Sequence, residues 1–197
     1  SPHTIVFLDR ASLQATIRRP AFPHTWVDHE ITRREEVVDR LRDASIAITN
    51  KVPLRRDVLD QLPQLKMIAV AATGTDILDL AACQERGIVV SNIRDYATAS
   101  LPEHTFALIL ALRRNLRAYA ADVEAGRWQK SQQFCFLDHP IRDLAGSRLG
   151  IVGYGALGRS VAALGRAFGM EICVTSRTPV DEPGVQNLPL PELLAAG

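Results

Sequence analysis

The sequence predicts an α/β protein built on parallel sheets. Three observations carry this. Short β-branched apolar runs alternate with segments of helical pattern, the runs are apolar on both faces, and one of them leads into a glycine-rich turn followed by a helix. A strand buried on both faces belongs to a parallel sheet covered by helices on each side. The composition suits a chain that buries a core: 47% of the 197 residues are hydrophobic, and 23 basic against 22 acidic side chains leave a formal charge of +1. With the arginines scattered among acids, that balance argues against a nucleic acid or a membrane surface as partner, since such surfaces need clustered basic charge. No apolar run reaches the roughly 18 residues that cross a bilayer, and the first residues lack the pattern of a secretory leader, so the expected compartment is the cytoplasm. Cys83, Cys135 and Cys173 are widely spaced without CxxC, which fits neither a disulfide framework nor a zinc site. Reduced thiols and no bound metal are expected.

The elements follow in order. Thr4–Leu8 reads as a strand and Ser12–Arg19 as a helix. A second helix starts at a capping box, Thr32-x-x-Glu35, and continues through Val37, Val38 and Leu41. Ile46–Asn50 is a strand, Arg55–Gln61 a helix, Met67–Ala72 a strand, Leu78–Arg86 a helix and Ile88–Asn92 a strand. Ser100-x-x-Glu103 is another capping box with Pro102 in the first turn, and the helix that it opens runs to about Ala125, where Gly126 stops it. A helix of some 25 residues spans about 37 Å. Its apolar positions, among them Phe106, Ile109, Leu112, Leu116 and Val123, exceed one stripe, so it is expected to connect two domains and to pack on two sides. Arg127–Ala145 is irregular, and a new α/β unit begins near Arg148.

That unit carries the chemistry. The strand Leu149–Val152 runs into Gly153-Tyr154-Gly155-Ala156-Leu157-Gly158, after which Arg159–Phe168 is helical. This is GxGxxG in its strand–turn–helix setting. The first glycine permits the tight turn, the second lets the backbone approach a pyrophosphate, and the third lets helix pack on strand. Amide groups and the positive end of the helix dipole then meet the phosphates. Gly153, Gly155, Ala156, Leu157 and Gly158 are therefore candidate cofactor-binding residues. A second strand, Glu171–Thr175, follows and ends in Ser176-Arg177-Thr178 rather than in the Asp or Glu that would bond the ribose hydroxyls of NAD. Arg177, with hydroxyl donors from Ser176 and Thr178, favours the 2′-phosphate of NADP over NAD. The other reading of Arg177 is a solvated arginine on a site that accepts either cofactor. The first carboxylate after the strand, Asp181, sits beyond Pro179 in an expected loop.

These residues resemble the D-isomer-specific 2-hydroxyacid dehydrogenases. Ala72-Thr73-Gly74-Thr75-Asp76-Ile77-Leu78-Asp79-Leu80 is similar to the loop after the family's fourth strand, Arg86–Asn92 to the next strand, and Ser100-Leu101-Pro102-Glu103-His104-Thr105 to the start of its interdomain helix. Pro102 departs from the small residue common there, which a first turn tolerates. Asn92–Ser100 and Gln133–Asp138 most resemble glycerate dehydrogenases, also called hydroxypyruvate reductases. The resemblance implies a flavodoxin-like substrate domain over residues 1–99, an interdomain helix over 100–126 and the first part of a Rossmann domain over 127–197, with a cleft between the domains.

It further implies that the amides of Thr73 and Gly74 hold the substrate carboxylate, that Ser100 lies near the nicotinamide, and that the enzyme is a homodimer; the other reading of Ser100, from the residue itself, is a helix N-cap. The implied reaction is reduction of a 2-oxo acid, hydroxypyruvate or glyoxylate, to the D-2-hydroxy acid. A non-enzymatic NAD(P)H-sensing or scaffold protein on this fold, and a dehydrogenase for phosphoglycerate or formate, are the alternatives. The family's catalytic arginine, glutamate and histidine are expected beyond Gly197. The adjacent pair Asp138-His139 is not expected to work as an acid–base pair, because neighbouring side chains rarely converge on one atom. Pro191–Gly197 reads as a helix just beginning, so the Rossmann domain is expected to be severed.

Overall fold

The computed structural model describes residues 2–195. The chain divides into two compact units between Arg94 and Asp95.

The first unit is a five-stranded parallel sheet in the order β2-β1-β3-β4-β5, formed by β1 (His3–Phe7), β2 (His24–Asp28), β3 (Ile46–Thr49), β4 (Met67–Val70) and β5 (Val89–Asn92). This is the flavodoxin-like order. Helices α1 (Val37–Leu41), α2 (Arg56–Leu59) and α3 (Leu80–Glu85) connect the strands. The core gathers Val6, Leu8, Val37, Leu41, Leu54, Leu59 and Ile68, all closed to solvent, so the apolar runs of β1, β3 and β4 are satisfied on the faces that the helices cover. At the carboxyl ends of the strands, the buried carboxylate of Asp9 accepts the backbone N–H groups of Asn50 at 3.0 Å and Lys51 at 2.6 Å, tying the exit of β1 to the exit of β3.

Two expectations fail in this unit. No helix forms over Ser12–Arg19; a single 3₁₀ turn, Arg10–Ser12, is followed by irregular chain. The Arg10 guanidinium donates to the carbonyls of Leu13 and Ala15, occupying acceptors that a helix would need, and Pro20 and Pro23 close the segment. Beyond them, β2 forms where no strand was expected. Nor does Thr32 cap a helix. Its hydroxyl donates to the Leu8 carbonyl and accepts from Arg40 at 2.6 Å, while Glu36 instead of Glu35 receives the Arg33 backbone N–H at 2.7 Å.

The second unit begins with α4 (Ser100–Arg113), α5 (Leu116–Glu124) and the short α6 (Arg127–Lys130). The expected continuous helix is thus two helices. Asn115 breaks it with φ +50°, a left-handed conformation that asparagine tolerates, and its side-chain amide donates to the Pro140 carbonyl. The Arg142 N–H takes the Arg113 carbonyl at 3.1 Å, which a continuing helix would need. Nor does the Ser100 capping box form: Ala99 is the N-cap position and Ser100 is already helical. Phe106 of α4 stacks on Phe168, with ring centroids 5.1 Å apart.

The strands of this unit, β6 (Arg148–Val152), β7 (Glu171–Thr175) and β8 (Val185–Asn187), form a parallel sheet in that order, with α7 (Ala156–Ala167) between β6 and β7 and α8 (Leu190–Ala195) after β8. The order is that of one half of a doubly wound nucleotide-binding sheet. The Leu193 side chain of α8 packs against Gly150 of β6.

Candidate functional site

The turn between β6 and α7 is built on three glycines with three separate physical reasons. Gly153 has φ +90°, which a side chain would strain, and its N–H reaches back to the Thr175 carbonyl at 2.8 Å. A Cβ on Gly158 would lie 2.3 Å from the Gly153 carbonyl oxygen, so the third glycine is demanded by backbone contact. At Gly155 the opposite holds. A Cβ there would meet nothing within 4 Å, and the backbone is at ordinary dihedrals, φ −80° and ψ −162°. The protein itself leaves that space, which suits a group that approaches the backbone from outside.

Gly155 is the N-cap position of α7 and carries no side-chain cap; the first helical bond runs from the Arg159 N–H to the Gly155 carbonyl at 3.0 Å. Among the described residues the amides of Ala156, Leu157 and Gly158 find no acceptor, so the helix presents free donors and its positive dipole end. Next to this turn lies a cleft of about 730 Å³. Gly153 and Gly155 line it together with Ser176, Arg177 and Thr178, which lie just past β7. Five of the residues expected to hold a cofactor thus share one cleft, with Ala156, Leu157 and Gly158 in the adjoining helical turn. Ser100 is not among the lining residues.

Sequence reasoning missed four residues around this cleft: Tyr154, Arg159, Asp181 and Glu182. The first three line it. Glu182 bridges Arg159, at 3.4 Å, and Arg166, at 2.6 Å. Arg166 also donates to the Tyr154 hydroxyl at 3.2 Å; that bond first, and then the charges of Tyr154 and Glu182, raise its pKa above the ordinary guanidinium value. Asp181, placed by its sequence position in a loop, is brought into the cleft because the Asn187 side chain clips the loop, pairing with both the N–H and the carbonyl of Val180 at 2.8 Å. The Ser176 hydroxyl donates to the Thr178 carbonyl, so this expected donor is already engaged within the loop. A detectable signal for Arg159 was its spacing of seven residues from Arg166, two helical turns on one face.

In the first unit, Thr73 and Gly74 stand in the exposed loop after β4. The loop is held by the Asn92 side-chain amide, which donates to the Thr73 carbonyl at 2.8 Å, and by the Ile93 N–H on the Ala72 carbonyl at 3.1 Å. Among the described residues, the amides of Thr73 and Gly74 donate to nothing. Lys51, on the adjacent strand exit, is exposed. His139 and Asp138 go to different partners, His139 to Asp122 at 2.8 Å and Asp138 to Arg127, so they form no joint acid–base pair. No group of three or more potential metal ligands exists among the described residues.

Residues 5–178 match the family described as D-isomer specific 2-hydroxyacid dehydrogenase, catalytic domain. A glycerate dehydrogenase of Methylorubrum extorquens is 54% identical over 178 residues, which are 90% of this chain and 57% of that protein. A hydroxypyruvate reductase of Blautia hydrogenotrophica is 36% identical over 142 residues, 72% of this chain and 44% of its own length. The chain therefore spans about half the length of these curated relatives. Among solved structures, a Thermus thermophilus protein superposes with a TM-score of 0.78 at 29% identity, covering 98% of this chain and 62% of that one. An NADPH-dependent glyoxylate/hydroxypyruvate reductase of Sinorhizobium meliloti does so with a TM-score of 0.71 at 25% identity, covering 96% and 58%.

Proposed function

Because this chain belongs to the D-isomer specific 2-hydroxyacid dehydrogenase family, we propose that the full-length protein reduces hydroxypyruvate or glyoxylate to the corresponding D-2-hydroxy acid, with NADPH preferred over NADH. The observation that carries the reading is the turn at Gly153–Gly158. It offers an open space at Gly155 and unbonded amides at the start of α7, beside a cleft lined by Ser176, Arg177 and Thr178. A nicotinamide dinucleotide bound there supplies hydride for the carbonyl carbon of the 2-oxo acid. The chain's own residues bind and orient. The α7 amides hold the pyrophosphate, Arg177 and the Thr178 hydroxyl take the 2′-phosphate, and the Thr73 and Gly74 amides receive the substrate carboxylate without a charged side chain. The Asn92 bond to the Thr73 carbonyl fixes that loop in advance, which lowers the ordering cost of binding. Proton transfer in this reading falls to a histidine in the part of the protein outside these 197 residues.

Asp181 is the observation that favours NADH, because its carboxylate lines the same cleft as Arg177. The assay is oxidation of NADPH and of NADH by full-length protein with hydroxypyruvate and with glyoxylate. Turnover of either 2-oxo acid, faster with NADPH, is expected; no oxidation of either nucleotide would sink the reading.

Homodimerisation belongs to the same proposal. Leu112, Phe134 and Leu137 are 78%, 88% and 80% exposed, and a wholly apolar groove of about 240 Å³ lies between Tyr119, Trp128 and Phe136. Surface of this kind is what a second copy covers. Light scattering at the mass of one chain across the micromolar range would count against it. No helix among the described residues is long and apolar enough to cross a membrane, and we place the protein in the cytoplasm.

A further inference from the structure

Arg159 immediately follows the last glycine of the turn, and the nucleotide reading gives it no role. The structure does not leave it loose. Its guanidinium carbon sits 4.9 Å from the centre of the Tyr154 ring, and its Nη1 reaches Glu182 Oε2 at 3.4 Å. Tyr154 is itself buried, and its hydroxyl is held by Arg166. Arg166 also takes the other oxygen of Glu182 at the shorter distance of 2.6 Å. Glu182 is therefore anchored mainly to Arg166, and its bond to Arg159 is the long, weak end of a shared carboxylate. The Arg159 side chain is 61% exposed and lines the cleft together with Arg177, Ser176 and Thr178.

The result is a cation that is positioned and only weakly paired. The aromatic face orients the guanidinium, and one stretched ion pair in solvent holds it at a contribution of about 0–1 kcal/mol. A phosphate dianion offers a guanidinium charge-assisted, bidentate bonds that a shared carboxylate oxygen at 3.4 Å does not. Arg159 comes from α7, and Arg177 from the chain after β7. A phosphate in the cleft between them is met from two elements. The two acids of the same loop are disposed differently: Glu182 is bonded by arginines, whereas Asp181 lines the cleft with no bond among the described residues.

We propose that Arg159 is a second specificity-determining cation for the 2′-phosphate of NADP(H), acting with Arg177, with Tyr154, Arg166 and Glu182 as the frame that positions it. The inference rests on the reading of this cleft as a dinucleotide site and adds which side chains select the phosphorylated nucleotide. The alternative role for a cation beside a glycine-rich turn is the pyrophosphate, which NADH and NADPH share.

The test is binding to the full-length protein by titration calorimetry, with NADPH, NADH, adenosine 2′,5′-bisphosphate and ADP as the probes. In Arg159→Gln, the Kd values for NADPH and the bisphosphate are expected to rise roughly tenfold or more, while those for NADH and ADP change less than about threefold. Arg159→Lys should keep part of the preference for NADPH. Arg159→Gln with Arg177→Gln should abolish that preference. Equal weakening of NADH and NADPH would assign Arg159 to the pyrophosphate and overturn the proposal, as would an unchanged Kd for all four probes. Wild-type protein that binds none of the four would instead overturn the dinucleotide reading.

Discussion

Gly155→Ala separates binding from folding at one methyl group. The added Cβ meets no protein atom within 4 Å, and φ −80° with ψ −162° is a backbone that alanine adopts freely. The folded state therefore gains no clash; the lost freedom of the unfolded chain, worth about 0.4–1 kcal/mol, and the poorer fit of alanine at the N-cap oppose each other, so stability should change by less than about 1 kcal/mol. In the proposed site the methyl would occupy the space through which the pyrophosphate approaches the α7 amides. Crowding of this kind costs about 1–3 kcal/mol, or roughly 5- to 160-fold in Kd. Gly158→Ala is the control with the opposite signature. Its Cβ would sit 2.3 Å from the Gly153 carbonyl oxygen, so backbone must move, and stability and nucleotide affinity should fall together. Thermal melts without nucleotide, paired with calorimetric titration of NADPH, read the two effects separately. Gly155→Ala that binds NADPH as tightly as wild type would show that no ligand approaches this turn, and the argument from the glycines would fail.

Three further outcomes are expected. Arg177→Asp should weaken NADPH by at least tenfold and NADH by less, because a carboxylate beside the 2′-phosphate repels it; parallel losses measured by calorimetry would refute the role of Arg177. Cys135, half-exposed, should react first with a thiol-specific reagent, whereas Cys83 should stay slow until the protein unfolds: burial, and then the charge of Asp79, push its thiol above the ordinary value. Finally, the pKa of His29 is lowered, first by burial and then by Arg40. The unfolded state then binds the proton more readily, so stability is intact above about pH 6.5 and is lost as the pH falls below it. The urea midpoint should drop on acidification through that window, and His29→Asn should flatten the drop; an identical slope in the variant would show that His29 contributes nothing.

Elements whose causes lie within a few residues were legible. The β6–turn–α7–β7 unit is one, since the apolar strand, the glycines and the helix all act locally. What failed depended on distant partners. β2, His24–Asp28, lacks an apolar run of its own and exists because β1 offers it an edge to pair with. The break at Asn115 answers to Pro140 and Arg142, some 25 residues on. Thr32 has the side chain of a helix cap, but the Leu8 carbonyl, 24 residues earlier, claims its hydroxyl.

The candidate site divides along the same line. From the sequence alone came the α/β class, the glycine fingerprint and Ser176–Arg177–Thr178 at the end of the second strand, because residue type and spacing decide backbone conformation over short range; the Thr73–Gly74 loop was singled out by the family resemblance. Tertiary structure decided which charges surround the proposed nucleotide cleft. Arg159 of α7 and Glu182 of the β7–β8 connection are 23 residues apart and meet only in the folded chain. Asp181 reaches the cleft through the clip made by Asn187. Ion pairs and side-chain clips act through space at a few ångströms, and only the folded chain determines which residues come that close.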